Sequence, residues 1–179
     1  MRLLLLVTCF CISCKSWGRF WELDSVTPQK SWYTYIGGPA LDNAQAIRQS
    51  PDGGYLSFSL SQAAFSNLGG KAPLIAYSGA SDFLITKLGS DGDFKWYTFF
   101  GTGVDDWTQD FVATADGGGL GVGYTTAQVP NINSITPIFT GGAGSYGILG
   151  KFAGNGALEW WTYVGGGGLQ LSGAAATSD

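Results

Sequence analysis

The residues that could do chemistry are few and unevenly placed. The 179-residue chain has no histidine. That removes the commonest general base, the usual zinc ligand and every Ser–His or Cys–His dyad. The three cysteines are Cys9, Cys11 and Cys14, so no disulfide or thiolate site can form farther along the chain. Oxygen ligands for Ca²⁺ could come from Asp91-Gly92-Asp93, or from Asp105, Asp106 and Asp110. The EF-hand pattern is absent, however, and the matching stretch later in the chain reads Asn155-Gly156-Ala157, without a carboxylate. These aspartates are therefore expected to shape turns. Asp42 and Asp106 stand at matching places and are expected to accept backbone N–H bonds. No spacing marks a carboxylate pair suited to glycoside hydrolysis. The sequence thus predicts no catalytic residue, no metal site and no cofactor, and a hydrolase is the least favoured reading.

Lys87 and Lys151 also recur. A buried stem with the amine reaching solvent or a strand-end carbonyl is the expected arrangement. Trp32, Trp96 and Trp160 stand at equal spacing and read as packing residues. Trp107 and Trp161 break the pattern, because their counterparts are Asn43 and Tyr97. An unrepeated surface aromatic is the better ligand platform, so these two are the candidate ligand-binding residues.

The elements that must hold these side chains follow from a repeat. Trp32-Tyr33-Thr34-Tyr35-Ile36-Gly37 returns as Trp96-Tyr97-Thr98-Phe99-Phe100-Gly101 and again, after an equal interval, as Trp160-Trp161-Thr162-Tyr163-Val164-Gly165. Residues 32–95 align with 96–159 without a gap, and 16 of the 64 positions are identical. Such a period is the mark of a repeat architecture. Each period holds four strand-like runs. The first has 44–50, 55–61, 82–88 and 94–100; the second has 108–114, 119–125, 146–152 and 158–164. Asp52-Gly53-Gly54 and Asp91-Gly92 give hairpin turns, since Gly takes the positive φ they need.

Four antiparallel strands per unit, repeated, predict an all-β fold of propeller blades. Leu56, Phe58 and Leu60 put bulk on one face of a strand, whereas Gly119, Gly121 and Gly123 leave a bare face on its counterpart. The bulky face of one sheet can then nest on the small face of the next. The prediction is a partial β-propeller: two complete four-stranded antiparallel blades plus a half blade, with strands at 20–25 and 30–36. The long connections 62–81 and 126–145 should lie on one face, as caps or as a partner-binding surface.

The N-terminus reads differently. A basic start, an apolar run through Ile12 and then Ser13-Cys14 fit a secretory signal ending in a lipobox-like segment, with Cys14 as the lipidated residue. The run is shorter than the roughly 20 apolar residues a bilayer span needs. The expected organisation is 1–14 signal and lipobox, 15–31 linker and half-blade strand, 32–95 and 96–159 the two repeats, and 160–179 the start of a truncated third. A truncated product is the preferred reading, and a short protein that builds a ring from several copies is the rival.

The residues Trp-x-Thr-aromatic-x-Gly, Asp52-Gly53-Gly54, Asp82-Phe83-Leu84-Ile85-Thr86-Lys87-Leu88 and Asp91-Gly92 before Trp96 resemble the SBBP-type β-propeller repeats of bacterial surface and secreted proteins. The resemblance covers roughly residues 20–170. It departs in the second copy, where Tyr146 and Gly147 replace Asp82 and Phe83. It implies a propeller fold and an extracytoplasmic place, and no single activity.

The functional expectation is a non-enzymatic binding or structural module, lipid-anchored to the outer membrane or surface of a bacterial envelope. The alternative is a lectin-like glycan-binding propeller. Partners are then a protein or a glycan, the membrane through the anchor, and other copies through exposed blade faces. The net charge is −4 with scattered basic residues, which argues against nucleic acid.

Overall fold

The structure, a computed structural model, describes residues 31–140, 144–166, 168 and 170–176. The expected signal, Cys14 and the strand at 20–25 lie outside these residues. Among the described residues eight strands form: β1 (Asp42–Gln49), β2 (Tyr55–Ser61), β3 (Asp82–Leu88), β4 (Phe94–Phe100), β5 (Asp106–Ala113), β6 (Gly119–Thr125), β7 (Tyr146–Phe152) and β8 (Leu158–Val164). They make two four-stranded antiparallel sheets, ordered β1-β2-β3-β4 and β5-β6-β7-β8, which pack together. Each strand of the second sheet begins and ends one sequence period after its counterpart in the first.

The turns set these bounds. Gly53 and Gly117 both take φ 81°, which an L side chain rarely adopts. Asp52 Oδ1 accepts the Gly54 N–H at 2.9 Å, and Asp116 Oδ1 accepts the Gly118 N–H at 3.2 Å, so carboxylate and glycine fix one turn together. β1 and β5 begin two residues earlier than the sequence suggests, at Asp42 and Asp106. A register shift in each, between Ala44 and Ala46 and between Thr108 and Asp110, leaves Gln45 and Gln109 unpaired. The extra residue breaks the period-two alternation that marks a strand in sequence.

The inner junction is bulk against bareness. Phe58, Phe83 and Phe100 are buried in the shared core with Phe111, Ile148, Phe152 and Trp161. A Cβ on Gly121 would lie 2.9 Å from the Phe58 ring and one on Gly150 2.9 Å from Phe100, while one on Gly123 would meet the Trp107 carbonyl more closely still and the Phe83 ring at 2.6 Å. The glycines therefore leave room for the rings. Phe58 also stacks on Phe111, with ring centroids 5.3 Å apart. Burying each phenyl stabilises the junction by roughly 1.5–3 kcal/mol. Arg48 on β1 adds an ion pair across it, reaching Asp110 on β5 at 2.8 Å.

Two tryptophans act as clasps. Trp96 donates its indole N–H to the Gly154 carbonyl at 2.9 Å, and its ring lies where a side chain on Gly156 would go. Trp32 does the same to Ser90, at 3.0 Å, with its ring over Gly92. Each donor thus reaches forward in the chain, Trp32 to the β3–β4 turn and Trp96 to the β7–β8 turn. The expected strand at 30–36 is not formed within the described part, because residues 31–38 lie outside any strand.

The long connections cap the sheets. Phe65 and Leu68 pack on Tyr97 and Phe99, while Val129, Ile132 and Ile135 join the core around Trp161. Leu74 donates to the Tyr97 carbonyl at 3.0 Å and Ile138 to the Trp161 carbonyl at 2.9 Å, so both connections shield the outer edge of their last strand.

Candidate functional site

The junction between the sheets, on the side of the long connections, holds the densest polar chemistry. Asp82 opens β3 and Asp106 opens β5, and both are fully buried. They flank Gly101, where any side chain would collide with both carboxylates. Each carboxylate closes a loop of its own. Asp82 accepts the Ser78 backbone N–H and the Ser78 hydroxyl, both at 2.7 Å. Asp106 accepts the Thr102 N–H at 2.6 Å and the Thr102 hydroxyl at 2.9 Å. The Thr125 hydroxyl lies 2.7 Å from that of Thr102.

Burial disfavours the charged forms more than these donors favour them. Asp82 is pushed up to about 6 by desolvation, against the hydrogen bonds from Ser78 and Gly79. Asp106 is pushed up to about 7, again chiefly by desolvation, with the Asp82 charge adding to the rise. Such a pair is a proton-binding element at near-neutral pH. Beside it, Tyr77, Ser78, Thr102, Asn131 and Asn133 line a cleft of about 310 Å³. Asp42 plays the simpler part expected of it, accepting the Gly38 N–H at 2.7 Å.

The recurring lysines have a clear partner. Lys87 is buried and its Nζ meets Asp52 at 2.9 Å. Lys151 meets Asp116 at 2.7 Å and Glu159 at 3.3 Å, and it donates to the Phe152 carbonyl at 2.9 Å. The strand-end carbonyl was expected; the ion pair to the β1–β2 or β5–β6 turn was not. Lys151, and after it the Thr114 hydroxyl, hold Asp116 down to about 2. Lys87 and the Gly54 N–H lower Asp52 in the same way.

The two aromatic candidates part company. Trp107 is 41% exposed and stacks on Tyr124, with centroids 6.1 Å apart and planes 10° from parallel. Trp161 is fully buried, donates its indole N–H to the Ile135 carbonyl at 2.7 Å and touches Phe100 and Tyr163. This corrects the expectation of a surface platform at Trp161: the ring fills the core beneath the second connection. Its counterpart Tyr97 is equally buried, so the exchange of one aromatic for another is a packing change.

Asp91 and Asp93 sit in the β3–β4 turn, where Asp93 pairs with Lys95 at 2.7 Å. Among the described residues, no group of three or more acidic, histidine or cysteine side chains could hold a metal ion, and no helix is long and apolar enough to cross a membrane. Sequence reasoning missed the pairing of Asp82 with Asp106. The signal available was Gly101, a glycine repeated from Gly37 and set between two acids. Compared with known protein families and with curated proteins, the chain matches none.

Proposed function

We propose that the chain is a non-enzymatic binding or structural module of β-propeller type, two blades and part of a third long, held at a bacterial cell envelope by lipid on Cys14. The observation that carries the propeller reading is the seating of Phe58, Phe83 and Phe100 on Gly121, Gly123 and Gly150. A sheet with one bulky and one bare face stacks in series on others of its kind. The buried acids support a structural role at the junction, because their oxygens are engaged in closing loops. The SBBP-like repeat and the lipobox-like Ser13-Cys14 are the grounds for the envelope location.

One observation favours the glycan-binding alternative: Trp107 and Tyr124 offer a stacked, partly exposed aromatic pair on which a sugar ring could lie. A glycan array on the full chain and on Trp107→Ala separates the two. A blank array favours the first reading, and reproducible binding lost in Trp107→Ala favours the second. The anchor is tested by metabolic palmitate labelling, which Cys14→Ser should abolish. Labelling that persists in the variant contradicts lipid on Cys14.

A further inference from the structure

We infer that copies of this chain stack head to tail, the outward face of the β5–β8 sheet of one copy seating on the outward face of the β1–β4 sheet of the next. The inference rests on the propeller-type reading and names a partner for it: a second copy of the same chain.

The inner junction is the template. There, three phenylalanines meet three glycines: Phe58 on Gly121, Phe83 on Gly123 and Phe100 on Gly150. On the outward face of the second sheet, the repeat counterparts of the phenylalanines are Val122, Gly147 and Val164. On the outward face of the first sheet, the repeat counterparts of the glycines are Ser57, Ser59 and Thr86. At all three positions the knob shrinks where the socket grows. The two changes oppose each other at each position, the direction of exchange that a packed junction tolerates, although at Phe83 to Gly147 more bulk is lost than Ser59 restores. The same register sets Val122, itself buried in the single copy, against Ile47, where the inner junction has Phe58 against Phe111. Ile47 is 58% exposed and Phe111 fully buried.

Ser57, Ser59 and Thr86 are buried in the single copy, so what covers them must move for a second copy to seat. A groove of about 490 Å³ runs over Ser57 and Ser59, walled by β1 and by Thr34–Ile36. Ser57 Oγ and Thr86 Oγ1 are buried without a hydrogen-bond partner.

The clasp gives the second line of support. Trp96 and Leu74 both close on Gly156. Their counterparts are Trp160 and Ile138. No acceptor is found for the Trp160 indole among the described residues, and Ile138 is 73% exposed. The matching turn on a second copy is Ser90–Gly92, now held by that copy's own Trp32. Stacking therefore exchanges one tryptophan for another. Residues 32–36 are a weak occupant of their site. Tyr33 and Tyr35 are 87% and 86% exposed, whereas Tyr97 and Phe99, at the same places in β4, are fully buried. On the other face, residues 170–176 must lift. Among the described residues they are held by Leu171 over Gly147 and by a hydrogen bond from the Ala174 N–H to Asp110 at 3.1 Å.

The two faces differ, so the contact is heterologous and builds rings or open stacks. The test is sedimentation velocity of the full chain over a concentration series from about 1 to about 200 µM. Wild type should form species larger than the monomer as concentration rises. Trp160→Ala, on the donating face, and Ser57→Phe, on the receiving face, should each weaken association at least ~10-fold. An equal mixture of the two variants should recover a dimer that grows no further, because one intact face of each kind remains. Ile47→Arg, at an exposed position, replaces Ser57→Phe if circular dichroism shows that variant unfolded. A wild type that stays monomeric throughout, variants that associate like wild type, or a mixture that recovers nothing would each overturn the inference. A monomer that retains the energetic coupling of Phe58 to Gly121 would sink head-to-tail stacking alone and leave the propeller-type reading standing.

Discussion

Adding one methyl group at Gly121 probes the inner junction at its tightest point. The new Cβ would lie 2.9 Å and 3.2 Å from two atoms of the Phe58 ring and 3.5 Å from Phe111. The first two are too close, so the ring or the sheet must shift, at a cost of about 1–3 kcal/mol. Gly121 is not among the positive-φ residues, so alanine is conformationally allowed and recovers roughly 0.5–1 kcal/mol of backbone entropy. The net expectation is a loss of about 1–2 kcal/mol. Phe58→Ala alone removes a fully buried ring and should cost about 3–5 kcal/mol. In that background the methyl of Gly121→Ala enters the space the ring has left, and the same change becomes neutral or stabilising. The two effects should therefore couple by about 1.5 kcal/mol or more. Urea unfolding of the four proteins, followed by fluorescence of the seven tryptophans and by far-ultraviolet circular dichroism, measures the cycle. Additivity within about 0.5 kcal/mol would refute the reasoning, because it would mean that the two residues do not touch.

The buried acids make stability fall as pH rises. Between the ordinary carboxylate value of 3.8 and the folded value of about 7, folded Asp106 holds a proton that the unfolded chain has lost. Its contribution is full below 3.8, declines through neutrality and is gone above about 7. Asp82 does the same up to about 6. The whole decline from Asp106 is on the order of 4 kcal/mol. Asp52 and Asp116 act in the opposite sense, contributing above the ordinary carboxylate value and losing that contribution in acid. Thermal unfolding should therefore show greatest stability in mild acid, and Asp106→Asn should flatten the decline between about pH 4 and 7 by roughly one proton's worth. An unchanged slope in that variant would contradict the assignment. Trp96→Phe keeps a ring over Gly156 and loses the bond to the Gly154 carbonyl, at a cost of about 1 kcal/mol in urea unfolding. The same change at Trp32, which is less buried, should cost less.

Much of the fold was legible because local chemistry and repeat agree. Asp52-Gly53 and Asp116-Gly117 demand their turns wherever they stand, and six of the eight strands begin and end where those signals put them. The starts of β1 and β5 were not legible, because the unpaired Gln45 and Gln109 disturb the alternation just where each strand begins. Bulk on Phe58 and bareness at Gly121 could be read from the strands; their contact across two sheets was the inference that the structure bears out. A mismatch between repeats predicts exposure at Trp161, whereas a core accepts tryptophan for tyrosine when a carbonyl such as that of Ile135 receives the indole N–H. The meeting of Asp82 and Asp106 was hidden for a topological reason. They open strands in different sheets and meet only because Gly101 leaves space between them.

The central claim is that the phenylalanines of one sheet lie on the glycines of the next. Nuclear Overhauser effects on the full chain test it most directly. Cross-peaks are expected from the ring protons of Phe58, Phe83 and Phe100 to the Hα protons of Gly121, Gly123 and Gly150 respectively, with those Hα resonances displaced by the rings. Glycine Hα signals at ordinary positions, with no cross-peak to any of the three rings, would contradict it.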